Sequence, residues 1–431
     1  MRTIKSPHNF SGNRMIETSD ASRREGSRRA GLRGASQGIM RFAPRALFGY
    51  GFRPFFLGAG LLAVLIIPWW AGSIAWGVPL GTAWPPALWH GHEMLFGFIG
   101  AAIAGFLLTA VPSWTGERGF AGWPLAALSA LWVFGRVLVA TSALWPLALV
   151  ATVDLLFIPA LALLVLPPLV RARNRNTPLL AVLAALWSTD VAFYVGLGSD
   201  DTALARHVLL IGIDIVLLLV TVIGGRIVPA FTSAAFKQRG IVAPLRVSPL
   251  LTPLAVGLML AVIASDLFAR ESPIAGAVAL AAAAIQAVRL WQWCGWRTLT
   301  MPLVWVLHIA YLWLPLGLAL KGLALLGGVA SAAFYLHALT IGAAATMIVA
   351  VMTRASLGHT GRALLVARPT VCAYGLLTAA AVVRVFGPAS IALPYRVVVL
   401  LAASLWTAAF VLFLLVYAPI LLALRADGKP G

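Results

Sequence analysis

The chain has 431 residues, 61% of them hydrophobic and 10% charged, with 32 Lys and Arg against 13 Asp and Glu and a net charge of +19. So much apolar surface excludes a soluble fold of this length and reads as an integral membrane protein. The positive excess then belongs to loops on the cytoplasmic side of a bilayer and not to a nucleic-acid surface. Two cysteines, Cys294 and Cys372, are too few for a disulfide framework or a cysteine-built zinc site.

Residues 1–45 include SRREGSRRAGLRG, which is basic, rich in Ser and Gly, and without apolar periodicity. They are expected to form a disordered cytoplasmic tail ahead of a transmembrane helical domain at 46–425. No small-residue cleavage site follows the first apolar run, which argues against a signal peptide. Apolar runs then fall at about 54–76, 89–111, 122–141, 146–167, 178–198, 204–224, 248–267, 273–293, 303–320, 330–352, 370–386 and 394–424. Each is long enough for a membrane helix, and lipid leaves the backbone no other way to satisfy its own polar groups. The fold class is therefore all-α, a polytopic bundle of about 12 transmembrane helices. No repeat of fixed period stands out.

The connecting loops give the orientation. RARNRN (171–176), FKQRG (236–240) with Arg226 and Arg246, the stretch with Arg289 and Arg297, and MTRASLGHTGRALLVARP (352–369) are basic. The alternate loops, such as GVPLGTAWPPAL (77–88) and GLGSDD (196–201), are not. The alternation predicts both termini in the cytoplasm. His90 and His92 then lie at the outer end of the second span and His207 at the outer end of the sixth. His337 lies about two turns into the tenth. His308 lies toward the inner end of the ninth span, His359 in the loop after the tenth, and His8 in the tail.

Ionisable groups inside a bilayer are costly and mark function by default. With so little cysteine available, His90, His92, His207 and His337 are the candidate metal or heme ligands. In WHGHEMLFGFIGAAIAGFLLTAVPSWTG (89–116), residues two apart on a helix point about 200° apart. His90 and His92 therefore cannot share one small ion if both are helical, and serve two sites. Glu93, three residues from His90, is expected on the face of His90, which continues through Gly97, Gly100 and Ala104. Asp214 lies seven residues from His207, too far for direct contact, and is expected in a polar cavity or proton path. Asp154 and Asp190 also fall within spans, with Arg136, Arg384 or Ser and Thr hydroxyls as expected partners. His359, between Arg354 and Arg362, fits either a solvated turn or a clamp for heme propionates.

GFRPFFLGAGLLAV, the segment at 89–116, GGRIVPAFT and MTRASLGHTGR resemble the signature segments of the NnrS family, from about residue 48 to the last span. The resemblance implies a bacterial inner-membrane protein with a b-type heme and copper that acts in the response to nitric oxide. Its histidine–glutamate motif falls on His90, His92 and Glu93, and its late loop motif on Arg354, His359 and Arg362. Cofactor contacts are expected from His90, His92, His207, His337, His308, His359, Arg354 and Arg362, with Glu93 and Asp214 as proton carriers. The leading function is reduction of nitric oxide to nitrous oxide, with electrons from a periplasmic cytochrome or quinol. A non-catalytic protein that binds nitric oxide or metal–nitrosyl species, and a heme or copper transporter, are the alternatives.

Overall fold

A computed structural model describes residues 44–328, 332–389 and 393–429. The chain divides into two units, 1–42 and 43–431. The expected basic tail, with His8, lies outside the described residues except for positions 44 and 45.

Among the described residues of the second unit, twelve helices are long and apolar enough to cross a membrane. They are α1 (Phe52–Trp76), α2 (Pro86–Thr115), α3 (Trp123–Ala140), α4 (Leu147–Arg171), α5 (Leu179–Gly198) and α6 (Thr202–Gln238). They continue with α7 (Leu251–Phe268), α8 (Pro273–Gln292), α9 (Pro302–Gly327), α10 (Phe334–His359), α11 (Arg368–Ala389) and α12 (Tyr395–Leu421). The core sits around α2, α6 and α9, whose apolar windows are 78%, 67% and 67% buried, whereas α7 is 22% buried. One end of the bundle carries the Arg- and Lys-rich connections and is called the basic end; the other carries His90, His207 and His337 and is called the histidine end.

Several helices outrun the apolar runs that predict them, α9 to Gly327 among them. α2 continues to Thr115, α6 to Gln238 and α10 to His359. Hydropathy marks the part of a helix that suits lipid, but the hydrogen-bond ladder continues wherever no residue breaks it. Arg354 and His359 are therefore helical residues, not loop residues.

Helices α2, α6 and α10, every fourth span in the chain, each contain a π-helical stretch: Glu93–Ile99, Val220–Gly224 and Ala338–Ala345. Each also contains a histidine followed five residues later by glycine: His92 and Gly97, His207 and Gly212, His337 and Gly342. The separations are unequal, so a search for a fixed period passes over this recurrence. A β-carbon at Gly97 would stand 2.7 Å from the Leu62 side chain, at Gly212 2.6 Å from Leu95, and at Gly342 2.4 Å from Trp313. These glycines let neighbouring helices come that close.

A π turn replaces the i to i−4 bond with a longer one and leaves a carbonyl poorly served. A side chain serves one in each of the three. Trp132 Nε1 donates to Gly97 O at 3.2 Å, Arg289 Nη1 to Thr221 O at 3.4 Å, and Thr346 Oγ1 to Ile341 O at 3.0 Å. α4 is interrupted at Leu156, between Leu147–Leu155 and Phe157–Arg171. Pro159 has no N–H to give Leu155 O, and Trp187 Nε1 donates to that oxygen at 2.9 Å.

Candidate metal centre at the histidine end

His90 and His92 face different neighbours, as two residues on one α-helical turn must. The His90 ring stacks on Trp70 of α1, with centroids 4.2 Å apart and planes at 20°. His337 of α10 and Arg384 of α11 stand close enough for their charges to act on His90. Arg384 is buried, and its Nη2 donates to the Tyr395 hydroxyl at 2.7 Å. Trp70 Nε1, His90 Nδ1 and Arg384 Nη1 are enclosed without a hydrogen-bond partner. Such atoms are costly in a protein interior unless a bound group meets them.

His92 lies on the other side, fully buried among α3, α4 and α5. Phe193 stacks on its ring at 4.7 Å, and Trp84 and Tyr194 meet it edge-on at 5.6 Å each. Nε2 lies 3.1 Å from Asp154 Oδ2 and 3.2 Å from Asp190 Oδ1. These three ligand atoms lie within 4.8 Å of one another. Nδ1 lies 3.4 Å from Glu93 Oε1. Arg136 donates through Nη1 to Glu93 and through Nη2 to Asp154, and the Tyr194 hydroxyl donates to Asp154 Oδ2 at 2.8 Å. Glu93 Oε2 is buried without a partner. Three carboxyls thus meet one guanidinium and one imidazole in a site closed to water. With the imidazole neutral this leaves two negative charges in excess, which two added protons or one divalent metal cation would balance.

Glu93 therefore belongs with His92 and not on the face of His90. The helix turns α to π at Glu93, and each residue of a π turn advances through a smaller angle than the α-helical value behind the expectation. Asp154 meets Arg136, as expected. Asp190 instead meets His92.

His207 Nε2 donates to the backbone carbonyl of Asp266 at 3.0 Å, so that nitrogen is already in use. Asp214 stands away from His207 and joins a second buried acid–base group. Lys321 pairs with Asp266 and lies 3.8 Å from Asp214 Oδ1, while Asp214 Oδ2 has no partner. Neither Lys321 nor Asp266 is singled out by the sequence reading. Asp266 sits at the fading edge of an apolar run, and Lys321 falls beyond the expected end of the ninth span. Two buried carboxyls sharing one ammonium reach neutrality by taking up one proton.

At the basic end, His308 Nε2 lies 2.9 Å from Thr232 Oγ1. That hydroxyl donates to Val228 O, so the imidazole N–H donates to the hydroxyl. The His359 ring stacks on Tyr50 at 5.7 Å, Arg354 lies over the Phe231 ring at 3.8 Å, and Arg362 donates to Thr360 O at 3.4 Å. Among the described residues, these contacts stay at the basic end.

Between the two ends, α2, α6 and α10, with α1 and α5, line a partly open apolar cavity of about 110 Å³. Ile99, Val220, Gly224 and Ala344, all from the three π turns, line it. Its lining is almost wholly apolar and suits a small apolar molecule.

No curated protein matches the chain. The pattern of the family described as "NnrS protein" matches residues 46–425, which takes in every helix described above. Membership points to a role in the nitric oxide response and to metal binding in a multi-pass membrane protein. The chain belongs to the NnrS family.

Proposed function

We propose that the protein is a heme- and copper-dependent membrane oxidoreductase that reduces nitric oxide to nitrous oxide, 2 NO + 2 e⁻ + 2 H⁺ giving N₂O and H₂O. The observation that carries the reading is the set of enclosed, partnerless polar atoms on Trp70, His90 and Arg384. Those donors fit a heme by their chemistry. His90 and His337 offer imidazole nitrogens for iron, and Arg384 and Trp70 offer N–H groups for propionate carboxylates. The mixed set of His92, Asp154 and Asp190 fits copper(II), which takes nitrogen and oxygen donors, better than copper(I), which prefers sulfur. When bound, the heme supplies an iron that takes nitric oxide, and the copper a second one-electron centre.

The protein's own residues do the rest. The aromatic wall of Trp84, Phe193 and Tyr194 fixes the His92 ring and keeps water out. Arg136 holds Glu93 and Asp154 in place by charge. Glu93, with its free Oε2, passes protons to the reacting oxygen, and the Asp214–Asp266–Lys321 group stores one. Nitric oxide, small and apolar, reaches the histidine end from lipid through the cavity between α2, α6 and α10. The basic connections face the cytoplasm of a bacterial inner membrane, and both termini lie on that side.

The deciding experiment uses the purified full chain in detergent. Its absorption spectrum is recorded before and after reduction, its copper is measured, and nitric oxide consumption is followed with a reduced donor. The reading expects heme bands, copper near one per chain and repeated turnover. Heme bands with a single stoichiometric uptake of nitric oxide would make it a binding protein instead. Absence of heme bands would overturn the reading.

A further inference from the structure

We propose that the loop between α1 and α2 is a gate over the His92 centre, with Trp84 as its plug, and that a divalent metal ion enters the centre from the histidine-end surface when the plug lifts. The inference rests on the reading of His92, Asp154 and Asp190 as copper ligands. All three residues are buried. An ion on its way to them must shed its water, and neither lipid nor an apolar wall replaces that water. A buried metal site therefore needs an entry path from the aqueous side.

The rings around His92 say where that path lies. Among the described residues, Trp84, Phe96, Phe193 and Tyr194 lie against the imidazole. Phe96, Phe193 and Tyr194 belong to α2 and α5 and are 3%, 0% and 5% exposed. Of the four, Trp84 alone is only half-buried, and it belongs to no helix. Its ring meets Phe193 at 5.5 Å and Tyr194 at 5.8 Å, both edge-on. One side chain thus closes the aromatic box from the surface. Lifting it opens the way to His92 without moving a ligand residue.

The loop can move apart from the helices that flank it. It starts at Gly77, in the left-handed region at φ 68°, and ends at Pro85 and Pro86, which open α2. Residues 77–79 and 83 are exposed. Its ties to the rest of the chain are neutral hydrogen bonds. Trp69 Nε1 donates to Pro79 O at 3.0 Å, Ala143 N to Gly81 O at 3.1 Å, and Ser142 Oγ to Thr82 Oγ1 at 2.8 Å. Trp84 N donates to Thr82 Oγ1 at 3.1 Å, within the loop itself. Neutral bonds near a surface exchange readily for bonds to water, so opening sacrifices little. Gly81 seats the loop against Ala140 O, where a β-carbon would stand only 2.3 Å away. The closed position therefore depends on that glycine.

The test follows copper binding by the metal-depleted full chain in a neutral detergent after Cu²⁺ is added to the aqueous phase. Trp84→Ala should speed both uptake and loss of copper about tenfold or more, so that the amount bound at the end changes less than about threefold. Trp84→Phe keeps an aromatic plug and should restore slow exchange. Should Trp84→Ala fail to fold, Gly81→Ala pushes the loop off Ala140 O, changes no side chain around His92, and should act in the same direction. A second assay needs no metal. In a Cys372→Ser chain, Phe193→Cys is treated with a small cationic methanethiosulfonate, and adding Trp84→Ala should speed that reaction about tenfold. No copper uptake by any variant would overturn the copper reading, while the thiol rates would still decide the gate. Equal thiol rates with and without Trp84, equal copper rates with and without it, or loss of equilibrium copper binding in Trp84→Ala would overturn the gate.

Discussion

Trp187 donates its indole N–H to Leu155 O at 2.9 Å, the carbonyl that Pro159 leaves without a helical donor. The bond ties α5 to α4 one residue from Asp154, and so fixes the carboxylate that faces His92. Trp187→Phe keeps the ring and removes the donor. It should cost about 1–3 kcal/mol, the usual cost of orphaning a buried acceptor. The check is the melting temperature in detergent, with Trp406→Phe, which loses its bond to Ala63 O between α12 and α1, as comparison. Both should lose stability, and only Trp187→Phe should change copper content.

His90 and His92 occupy separate pockets, so their substitutions should have different signatures. His90→Ala should lower heme to about a tenth of the wild-type level while copper changes less than twofold. His92→Ala should do the reverse. Membrane insertion should survive in both, because the apolar run that directs it is untouched. Parallel loss of both cofactors in both variants would mean one shared centre.

Glu93→Gln keeps the shape of the side chain and an acceptor for Arg136, but cannot exchange a proton. Nitric oxide turnover should fall about 10²-fold or more, the usual scale for losing a positioned acid or base. Heme and copper should remain. Loss of copper at unchanged fold would make Glu93 a ligand.

Arg136 balances two buried acids, so Arg136→Met should destabilise by about 3–5 kcal/mol, the range for leaving buried charge unpaired. Adding Asp154→Asn should recover part of that loss, because one of the stranded charges is removed with it. Melting temperatures of the single and double variants measure the coupling.

At the C-terminus, Arg425 grips Asp427 through Nε and Nη2 and donates through Nη1 to His359 O at 2.9 Å. Hydrogen bonds from Arg425 hold the Asp427 carboxyl well below the usual carboxylate range. A value depressed on folding contributes its full stability above the ordinary carboxylate value of about 4, loses it progressively below that, and has lost it once pH falls through the lower folded value. Hydrogen exchange at residues 425–429 should therefore stay slow as pH drops past 4. In Asp427→Asn it should be fast throughout. Loss of protection near pH 5 in the unaltered chain would contradict the sign.

The spans are legible in the sequence because lipid demands unbroken apolar runs, and the alternation of basic loops supports an even number of them. The division of labour between His90 and His92 follows from the angle between residues on an α-helix. Glu93 is misplaced by the same reasoning, because nothing in EMLFGFI marks a π turn to the eye. Arg289 reads as a loop charge, since hydropathy cannot tell a cation at the end of a span from one folded under it. Lys321 and Asp266 acquire meaning only when α7 and α9 are seen to meet.

Each π turn amounts to one extra residue threaded into a helix. Deleting a residue such as Met94 would restore the ordinary ladder in α2 at little local expense. It would also rotate everything before it by about 100° relative to everything after. His90 would leave Trp70, and His92 would leave Asp154 and Asp190. The spacing between residues 93 and 99, more than their chemical identity, therefore acts as an indexing device that decides which imidazole meets which set of partners.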